Sequence, residues 1–336
     1  MDLSTTYMGF KLPHPLVPGA SPMVDNLETV KRLEDAGAPM LVMHSLFEEQ
    51  ILNEELYFTH TMEHSEFSTP EALSYFPRPA DFALGTNEYL EQLARIKQIV
   101  SVPVIASLNG TTEGGWLAYA GLIEQAGADG LELNIYDLAA DPNETGEQVE
   151  TRALRVIRAV RDSLSIPIAV KLSPFYSSIS NFARKVDELG VEALVLFNRF
   201  YQPDIDIENQ EAIRVMNLSS PAELLLRLRW LALLHGKLRA SLACTGGVHT
   251  ATDAIKAVMA GADAVQMVSA LLQRGPTYLQ QVRDDMTRWL EEHEYESLAQ
   301  MRGSMSLMRC PDPKAYERAN YIRLLQLPPT VWSSGS

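Results

Sequence analysis

The chain has 336 residues, of which 46% are hydrophobic and 21% charged, which is enough apolar sequence for one large core. Its formal net charge of -15 disfavours a nucleic-acid or anionic-membrane partner, because both need concentrated lysine and arginine. Two cysteines, Cys244 and Cys310, are too few for a disulfide framework or a cysteine-rich metal site. No apolar run is long enough for a membrane span, and the first residues lack the pattern of a secretion signal. We therefore expect a cytoplasmic protein with no membrane partner.

Strand and helix patterns alternate along the chain. Eight short apolar segments predict strands at residues 16–20, 40–45, 103–107, 131–134, 167–171, 193–198, 239–244 and 264–268. Apolar residues at helical spacing lie between them, for example at 87–100, 144–162, 220–234 and 250–260. This alternation predicts an α/β fold, a (β/α)8 TIM barrel in a single domain that spans residues 1–336. A doubly wound open sheet is the alternative architecture.

Two regions are longer than a minimal barrel needs. Residues 46–86 form an insertion after the second predicted strand, and long barrel loops often cover an active site. Residues 276–330 predict a C-terminal extension of two or three helices. His60 and His64 lie in the insertion without a convincing set of metal-ligating partners, so we expect no metal site.

The stretch from residue 243 to residue 271 is the most informative part of the sequence. One apolar strand ends at Gly246 and Gly247, a helix follows, and a second apolar strand ends at Ser269. Paired glycines let backbone amides approach a phosphate with no β-carbon in the way, and a helix N-terminus adds favourable charge. In an eight-stranded barrel the last two strands often carry such loops. This stretch therefore predicts a phosphorylated ligand.

The carboxyl ends of the predicted strands carry mostly polar residues, and in a barrel the chemistry takes place at this edge. The set comprises Ala20, Ser21, His44, Ser45, Ser107, Leu108, Asn109, Asn134, Lys171, Asn198, Thr245, Gly246, Gly247 and Ser269. Three asparagines and a lysine around one centre suit a flat heteroaromatic ligand, because amides offer both donors and acceptors. Arg199 follows Asn198 and is suited to pair with a substrate carboxylate in bidentate fashion.

Five pieces of sequence carry a family resemblance. They are Pro-Gly-Ala20-Ser21-Pro, Gly-Leu-Glu-Leu-Asn134, Val-Lys171-Leu-Ser-Pro, Asn198, and Thr-Gly246-Gly247-Val with Asp263-Ala-Val-Gln-Met-Val-Ser269-Ala-Leu. Together they resemble the flavin-dependent dihydroorotate dehydrogenases over roughly residues 3–285. The resemblance implies an FMN cofactor, hydride transfer from dihydroorotate or a related small cyclic substrate to yield orotate, and a place in pyrimidine biosynthesis. It also implies a homodimer.

The resemblance assigns roles position by position. It places Ala20, Ser21, Ser45, Asn109, Asn134, Lys171 and Asn198 beside the flavin, and Gly246, Gly247 and Ser269 at its phosphate. Asn134 and Asn198 would also reach the substrate. Lys171 would stabilise negative charge on the reduced ring.

Several positions depart from the family pattern. Where the family has a serine or cysteine as the catalytic base, this chain runs Asn134-Ile-Tyr-Asp137, which makes Asp137 the candidate base. His44 stands where the soluble class commonly has a lysine, and it is a further catalytic candidate. Three alternatives stay open: a related flavoprotein with another substrate, a cofactor-free barrel lyase or isomerase that grips a substrate phosphate, and a non-catalytic flavin binder. The electron acceptor is open among fumarate, a quinone, NAD through a partner subunit, and oxygen.

Overall fold

The computed structural model describes residues 1–47, 86–110, 113–135, 137–199, 202–213, 217–316 and 320–326. Its strands are β1 (Thr5–Tyr7), β2 (Phe10–Leu12), β3 (Leu16–Pro18), β4 (Leu41–Phe47), β5 (Val104–Gly110), β6 (Gly130–Ile135), β7 (Ile168–Leu172), β8 (Ala193–Leu196), β9 (Asp204–Asp206), β10 (Glu211–Ile213), β11 (Ser241–Thr245) and β12 (Ala264–Met267). The α-helices are α1 (Leu27–Asp35), α2 (Thr86–Ile99), α3 (Glu113–Gln125), α4 (Gly146–Ser163), α5 (Ile179–Glu188), α6 (Leu224–Leu234), α7 (Ala251–Ala260), α8 (Ser269–Arg274), α9 (Tyr278–Glu292), α10 (Leu298–Met301) and α11 (Asn320–Leu325). Short 3-10 turns cover Pro22–Asp25, Pro221–Glu223 and Pro313–Tyr316.

Eight strands form one parallel sheet in the order β3, β12, β11, β8, β7, β6, β5 and β4. All the pairings in it are parallel, and the two end strands, β3 and β4, contact each other. Each strand therefore neighbours the next sheet strand of the chain all the way round, which is the arrangement of a (β/α)8 barrel. The barrel prediction is confirmed, and the open-sheet alternative is wrong.

Alternate residues point to opposite sides of each strand, and both sides are buried, one in the barrel interior and the other under the helices. One set, which includes Val17, Val42, Ile105, Ala169 and Val195, packs inside the barrel. The other set packs under the surrounding helices and includes leucines and valines of most strands. Burial on both faces explains why these strands read as continuous apolar runs in the sequence.

A small hairpin closes the amino-terminal end of the barrel. Strands β1 and β2 pair in antiparallel fashion, and Tyr7, Met8 and Leu12 join the interior apolar cluster. The Thr5 hydroxyl donates to the Asp263 carbonyl at 2.9 Å, and the Met8 amide donates to Ser241 Oγ at 3.2 Å. Since this end is filled by the chain itself, a ligand site belongs at the carboxyl ends of the strands.

The sequence misplaced several boundaries. Strand β8 ends at Leu196, so Asn198 lies in the loop after it rather than in the strand. Helix α4 begins at Gly146 because Thr145 forms a capping box with Gln148. The hairpin of β9 and β10 was not expected, since strands of three residues carry little periodic signal.

The predicted insertion and tail have different outcomes. Most of the insertion lies outside the described residues, including His60 and His64. The C-terminal extension forms α9, α10 and α11, which confirms its helical character up to Leu325. None of the described helices is long and apolar enough to cross a bilayer.

Candidate active site

Three predicted polar residues lie side by side on neighbouring strands. Asn109 on β5 pairs in register with Asn134 on β6, and Asn134 pairs with Lys171 on β7. Lys171 in turn pairs with Val195, which belongs to the interior cluster, so this row faces into the barrel. All three polar residues are buried, with exposed fractions of 5%, 2% and 8% respectively. A polar layer therefore caps the apolar interior near the carboxyl ends of the strands.

An amide and two hydroxyls form a tight cluster in this layer. Asn134 Nδ2 donates to Ser45 Oγ at 2.6 Å and to Ser107 Oγ at 3.0 Å, and the two hydroxyl oxygens lie 2.8 Å apart. Tyr89 on α2 fixes the backbone here, because its hydroxyl accepts from the Ser107 amide at 2.9 Å. Asn134 Oδ1 is buried and has no partner among the described residues. A buried acceptor without a partner costs free energy, so this atom is available for a donor on a ligand.

Lys171 forms an ion pair with the buried carboxylate of Glu132. Its Nζ donates to Glu132 Oε1 at 3.1 Å, and the other carboxylate oxygen accepts from Gln266 Nε2 at 2.7 Å. Glu132 is only 1% exposed, and Gln266 comes from β12 on the far side of the barrel. These two hydrogen bonds fix the ammonium of Lys171 in position before any ligand binds. The negative charge of Glu132 also adds to the shift by which burial raises the pKa of Tyr7 well above its ordinary value.

The two predicted phosphate loops meet at Ser219, in the loop before α6. The Gly247 amide donates to Ser219 Oγ at 3.2 Å, and that hydroxyl lies 2.8 Å from Ser269 Oγ. The Ser219 amide also donates to Ser269 Oγ at 3.0 Å. His249 Nε2 lies 2.7 Å from the Ser219 carbonyl oxygen and fixes the loop before α6. The structure thus brings Gly247 and Ser269 together, with Ser219 between them.

Both glycines of the turn have backbone conformations that side chains disfavour. Gly246 has φ of 90° and Gly247 has φ of 80°. A β-carbon on Gly247 would lie 2.5 Å from the backbone nitrogen of Leu224, which cannot move without shifting α6. The pair is therefore required by packing as well as by backbone geometry.

His44 has an acidic partner. Its Nδ1 lies 2.7 Å from Asp25 Oδ1, and its ring packs edge-on against Tyr89 with ring centroids 5.2 Å apart. Burial lowers the pKa of His44, and the Asp25 carboxylate opposes part of that shift. The carboxylate also orients the imidazole, an arrangement that suits acid–base chemistry.

Asp137 is already paired within the protein. Its carboxylate forms an ion pair with Arg152 on α4, and Arg152 also binds Glu144. The hydrogen bonds that Arg152 donates to Glu144 and Asp137 raise the pKa of its guanidinium. Proton abstraction by Asp137 would therefore have to proceed beside a fixed guanidinium.

The remaining predicted residues at this edge are Ala20, Ser21, Asn198 and Arg199. Ser21, just after β3, has a buried Oγ without a partner among the described residues, and the neighbouring Ala20 is half-buried. The Asn198 amide donates to the Leu172 carbonyl at 2.8 Å, and its side chain is half-buried. Arg199 is exposed. In the part of the chain that the structure describes, no cluster of His, Cys, Asp and Glu could hold a metal ion.

Three residues that organise this edge were not expected from the sequence: Glu132, Gln266 and Ser219. Glu132 and Gln266 had a signal, because each is a polar residue at an inward position of an otherwise apolar strand. Ser219 gave no such signal, since it lies in a loop and acquires its role only when α6 packs against the glycine turn.

The donor set fits a flavin mononucleotide. Asn134 Oδ1 and Ser21 Oγ are buried polar atoms without partners among the described residues, and a heterocycle with donor and acceptor edges could satisfy them. Gly246 and Gly247 carry no β-carbon where a phosphate would approach, and beside them lie the hydroxyls of Ser269 and of Ser219, which accepts from the Gly247 amide. Asn109, Asn134 and Lys171 could hold the ring system, and the two loops could hold the phosphate.

The fold and this edge define an α/β barrel with buried polar residues gathered at the carboxyl ends of its strands. Comparison with known proteins identifies the family: a family model for dihydroorotate dehydrogenase matches residues 83–290. The chain belongs to the dihydroorotate dehydrogenase family.

Relatives of two kinds share this family. A protein of Aeropyrum pernix named as a dihydroorotate dehydrogenase A (fumarate) is 31% identical over 224 residues, covering 65% of this chain and 72% of that protein. The dihydroorotate dehydrogenase B (NAD(+)) catalytic subunit of Geobacter sp. is 31% identical over 234 residues, covering 67% and 75%. The subunit of the same name from Thermoplasma acidophilum is 24% identical over 317 residues, covering 90% and 98%. The chain is therefore similar to the last relative over nearly its whole length.

Proposed function

We propose that this protein is an FMN-dependent dehydrogenase that oxidises dihydroorotate, or a related small cyclic substrate, to the corresponding unsaturated product. The observation that carries the proposal is the layer of Asn109, Asn134 and Lys171, which lies in one register row at the carboxyl edge of a barrel of this family. Supporting it, the buried Asn134 Oδ1 needs a donor that the described residues do not supply.

FMN, when bound, supplies the acceptor for a hydride from the substrate. The protein's own contribution is to place charge and hydrogen bonds around the ring. Lys171, fixed by Glu132, would hold the ring and offer a positive charge that stabilises the electron density gained on reduction. Asn134, oriented by Ser45 and Ser107, presents a carbonyl oxygen of defined direction. Such preorganised groups lower the barrier because they need no rearrangement during the reaction.

The proposed base is Asp137, with His44 as a second candidate. Oxidation of a saturated C–C bond removes a proton as well as a hydride, so a side chain must accept that proton. His44 is oriented by Asp25, whereas the Asp137 carboxylate is bound to Arg152. We place Asn198 and the exposed Arg199 at the substrate, where the guanidinium would pair with its carboxylate.

The first experiment measures flavin and its reduction. Purified protein should absorb in the visible range, and anaerobic dihydroorotate should bleach that absorbance. Lys171→Met should retain flavin but slow the reduction, because the positive charge near the ring is lost. Lys256→Met, an exposed lysine on α7, is the matched control and should leave the rate unchanged. Protein that neither retains nor rebinds FMN would refute the proposal.

The second experiment identifies the base. Asp137→Asn and His44→Gln are compared in single-turnover reduction of the bound flavin. The variant that loses the base should keep flavin binding and reduce slowly, with the pH dependence of the rate removed. If both variants reduce at the wild-type rate, neither residue is the base.

The ion pair of Asp137 favours one second candidate, a related flavoprotein that acts on another small molecule. It predicts a yellow protein whose flavin is not bleached by dihydroorotate. The names of the relatives suggest fumarate and NAD(+) as the first acceptors to test, and reoxidation of the reduced protein by each distinguishes them.

A further inference from the structure

A buried guanidinium lies behind the Gly246–Gly247 turn. Arg227, on α6, is 6% exposed. Its Nε donates to the Thr245 carbonyl at 3.0 Å, and its Nη1 donates to the Glu223 carbonyl at 2.8 Å. A β-carbon built on Gly246 would lie 3.0 Å from Nη2. Arg227 therefore ties the end of β11 to the start of α6 and fills the space against which the turn packs.

The charge of Arg227 is only weakly balanced by the protein. Its one ion-pair partner among the described residues is Glu223, with Nη2 and Oε2 3.9 Å apart. That distance is too long for a direct hydrogen bond. The other oxygen of Glu223 accepts from the Ser220 amide at 3.1 Å, and the side chain is 35% exposed. The neighbouring Cys244 is a neutral thiol, since burial raises its pKa to about 12.

A buried cation is costly unless an anion compensates it. Burial lowers the pKa of Arg227, but an arginine stays protonated at neutral pH. The Ser219 hydroxyl accepts from the Gly247 amide of the same turn and lies beside the Ser269 hydroxyl. The guanidinium, the two hydroxyls and the glycine turn thus lie close together, and a phosphate monoester bound there would supply a counter-charge for the guanidinium.

We propose that Arg227 is a positioning residue that makes this site select a phosphate monoester over the same ligand without its phosphate. It acts by holding the glycine turn through Thr245 and by adding positive charge beneath it. The inference rests on the proposed function in one respect, namely that FMN and riboflavin are the ligand pair used to test it.

The test compares dissociation constants for FMN and riboflavin, measured by quenching of flavin fluorescence. Wild-type protein should bind FMN more tightly than riboflavin. Arg227→Gln should raise the FMN constant by about tenfold or more and leave the riboflavin constant unchanged, because only FMN carries the phosphate charge. Arg227→Lys should restore part of the preference. Arg229→Gln, an exposed arginine on the same helix, is the matched control and should change neither constant.

If Arg227→Gln weakens the binding of FMN and of riboflavin equally, the role of Arg227 is purely structural and the inference is overturned. It is also overturned if neither dissociation constant changes. If Arg227→Gln does not fold, Arg227→Lys decides, and loss of the FMN preference with the charge retained overturns the charge argument. If wild-type protein binds neither flavin, the proposed function fails separately, and inorganic phosphate becomes the probe. A phosphate-induced rise in melting temperature that Arg227→Gln abolishes then supports the inference, and an equal rise in both proteins overturns it.

Discussion

Glu132 is the most consequential buried charge in the barrel, and its replacement by glutamine tests the electrostatic design of the polar layer. The carboxylate and the Lys171 ammonium are 3.1 Å apart, with side-chain exposures of 1% and 10%. Glutamine has the same shape and can still bond Gln266, so the main change is that Lys171 becomes a buried cation without a counter-charge. Glu132→Gln should therefore lower the stability sharply.

The expected magnitude follows from this burial. Removing one partner of a buried pair costs about 3 to 5 kcal/mol, and the retained hydrogen bond places Glu132→Gln near the lower end. Lys171→Met leaves the Glu132 carboxylate unpaired and should cost a similar amount. The double variant carries no unpaired charge, so it should be markedly more stable than the sum of the two single losses predicts. We expect a coupling free energy of about 3 kcal/mol.

The measurement is urea denaturation of the four proteins at neutral pH after removal of any bound ligand, because a ligand would add to the apparent stability. The control cycle uses the exposed pair Arg184 and Glu188 on α5, where side-chain exposures are 55% and 54%. Its coupling should stay below about 0.5 kcal/mol. Additive losses at Glu132 and Lys171 would refute the reasoning that the two charges depend on each other.

Three further outcomes follow from the structure. Burial lowers the pKa of His14 from 6.5 to about 4, so the stabilising effect of its neutral imidazole is complete above pH 6.5 and is lost as the pH falls toward 4. Over that range the wild-type protein should lose about 3 kcal/mol of stability relative to His14→Gln in pH-dependent denaturation. Parallel curves for the two proteins would contradict this. Gly247→Ala should lower the melting temperature because its β-carbon would lie 2.5 Å from the Leu224 nitrogen, whereas Gly121→Ala, with open space in α3, should raise it; shifts of the same sign would argue against the packing at the turn. Tyr89→Phe should cost about 1 to 3 kcal/mol in urea denaturation, because both hydrogen bonds to the Ser107 backbone are lost; a neutral effect would mean that water replaces the hydroxyl.

Much of the barrel was predictable because its signals are local. Continuous apolar runs in strands, apolar residues at helical spacing and glycines at helix ends are each visible within about a dozen residues. The polar residues at strand ends could be named for the same reason, since Asn134 and Lys171 stand at the ends of recognisable strands. The boundaries near Asn198 and the two small hairpins were missed, because short strands are defined by their partners rather than by their own sequence.

The sequence by itself determined the order of strands and helices, the family, and the residue types available at the carboxyl edge. Only the tertiary structure decided which of these residues meet. It joined Glu132 to Lys171 and, across the barrel, to Gln266, placed Ser219 between Gly247 and Ser269, and paired Asp137 with Arg152. The physical reason is that hydrogen bonds and ion pairs form between atoms within about 3 Å in space, whereas these partners lie up to 134 positions apart in the chain.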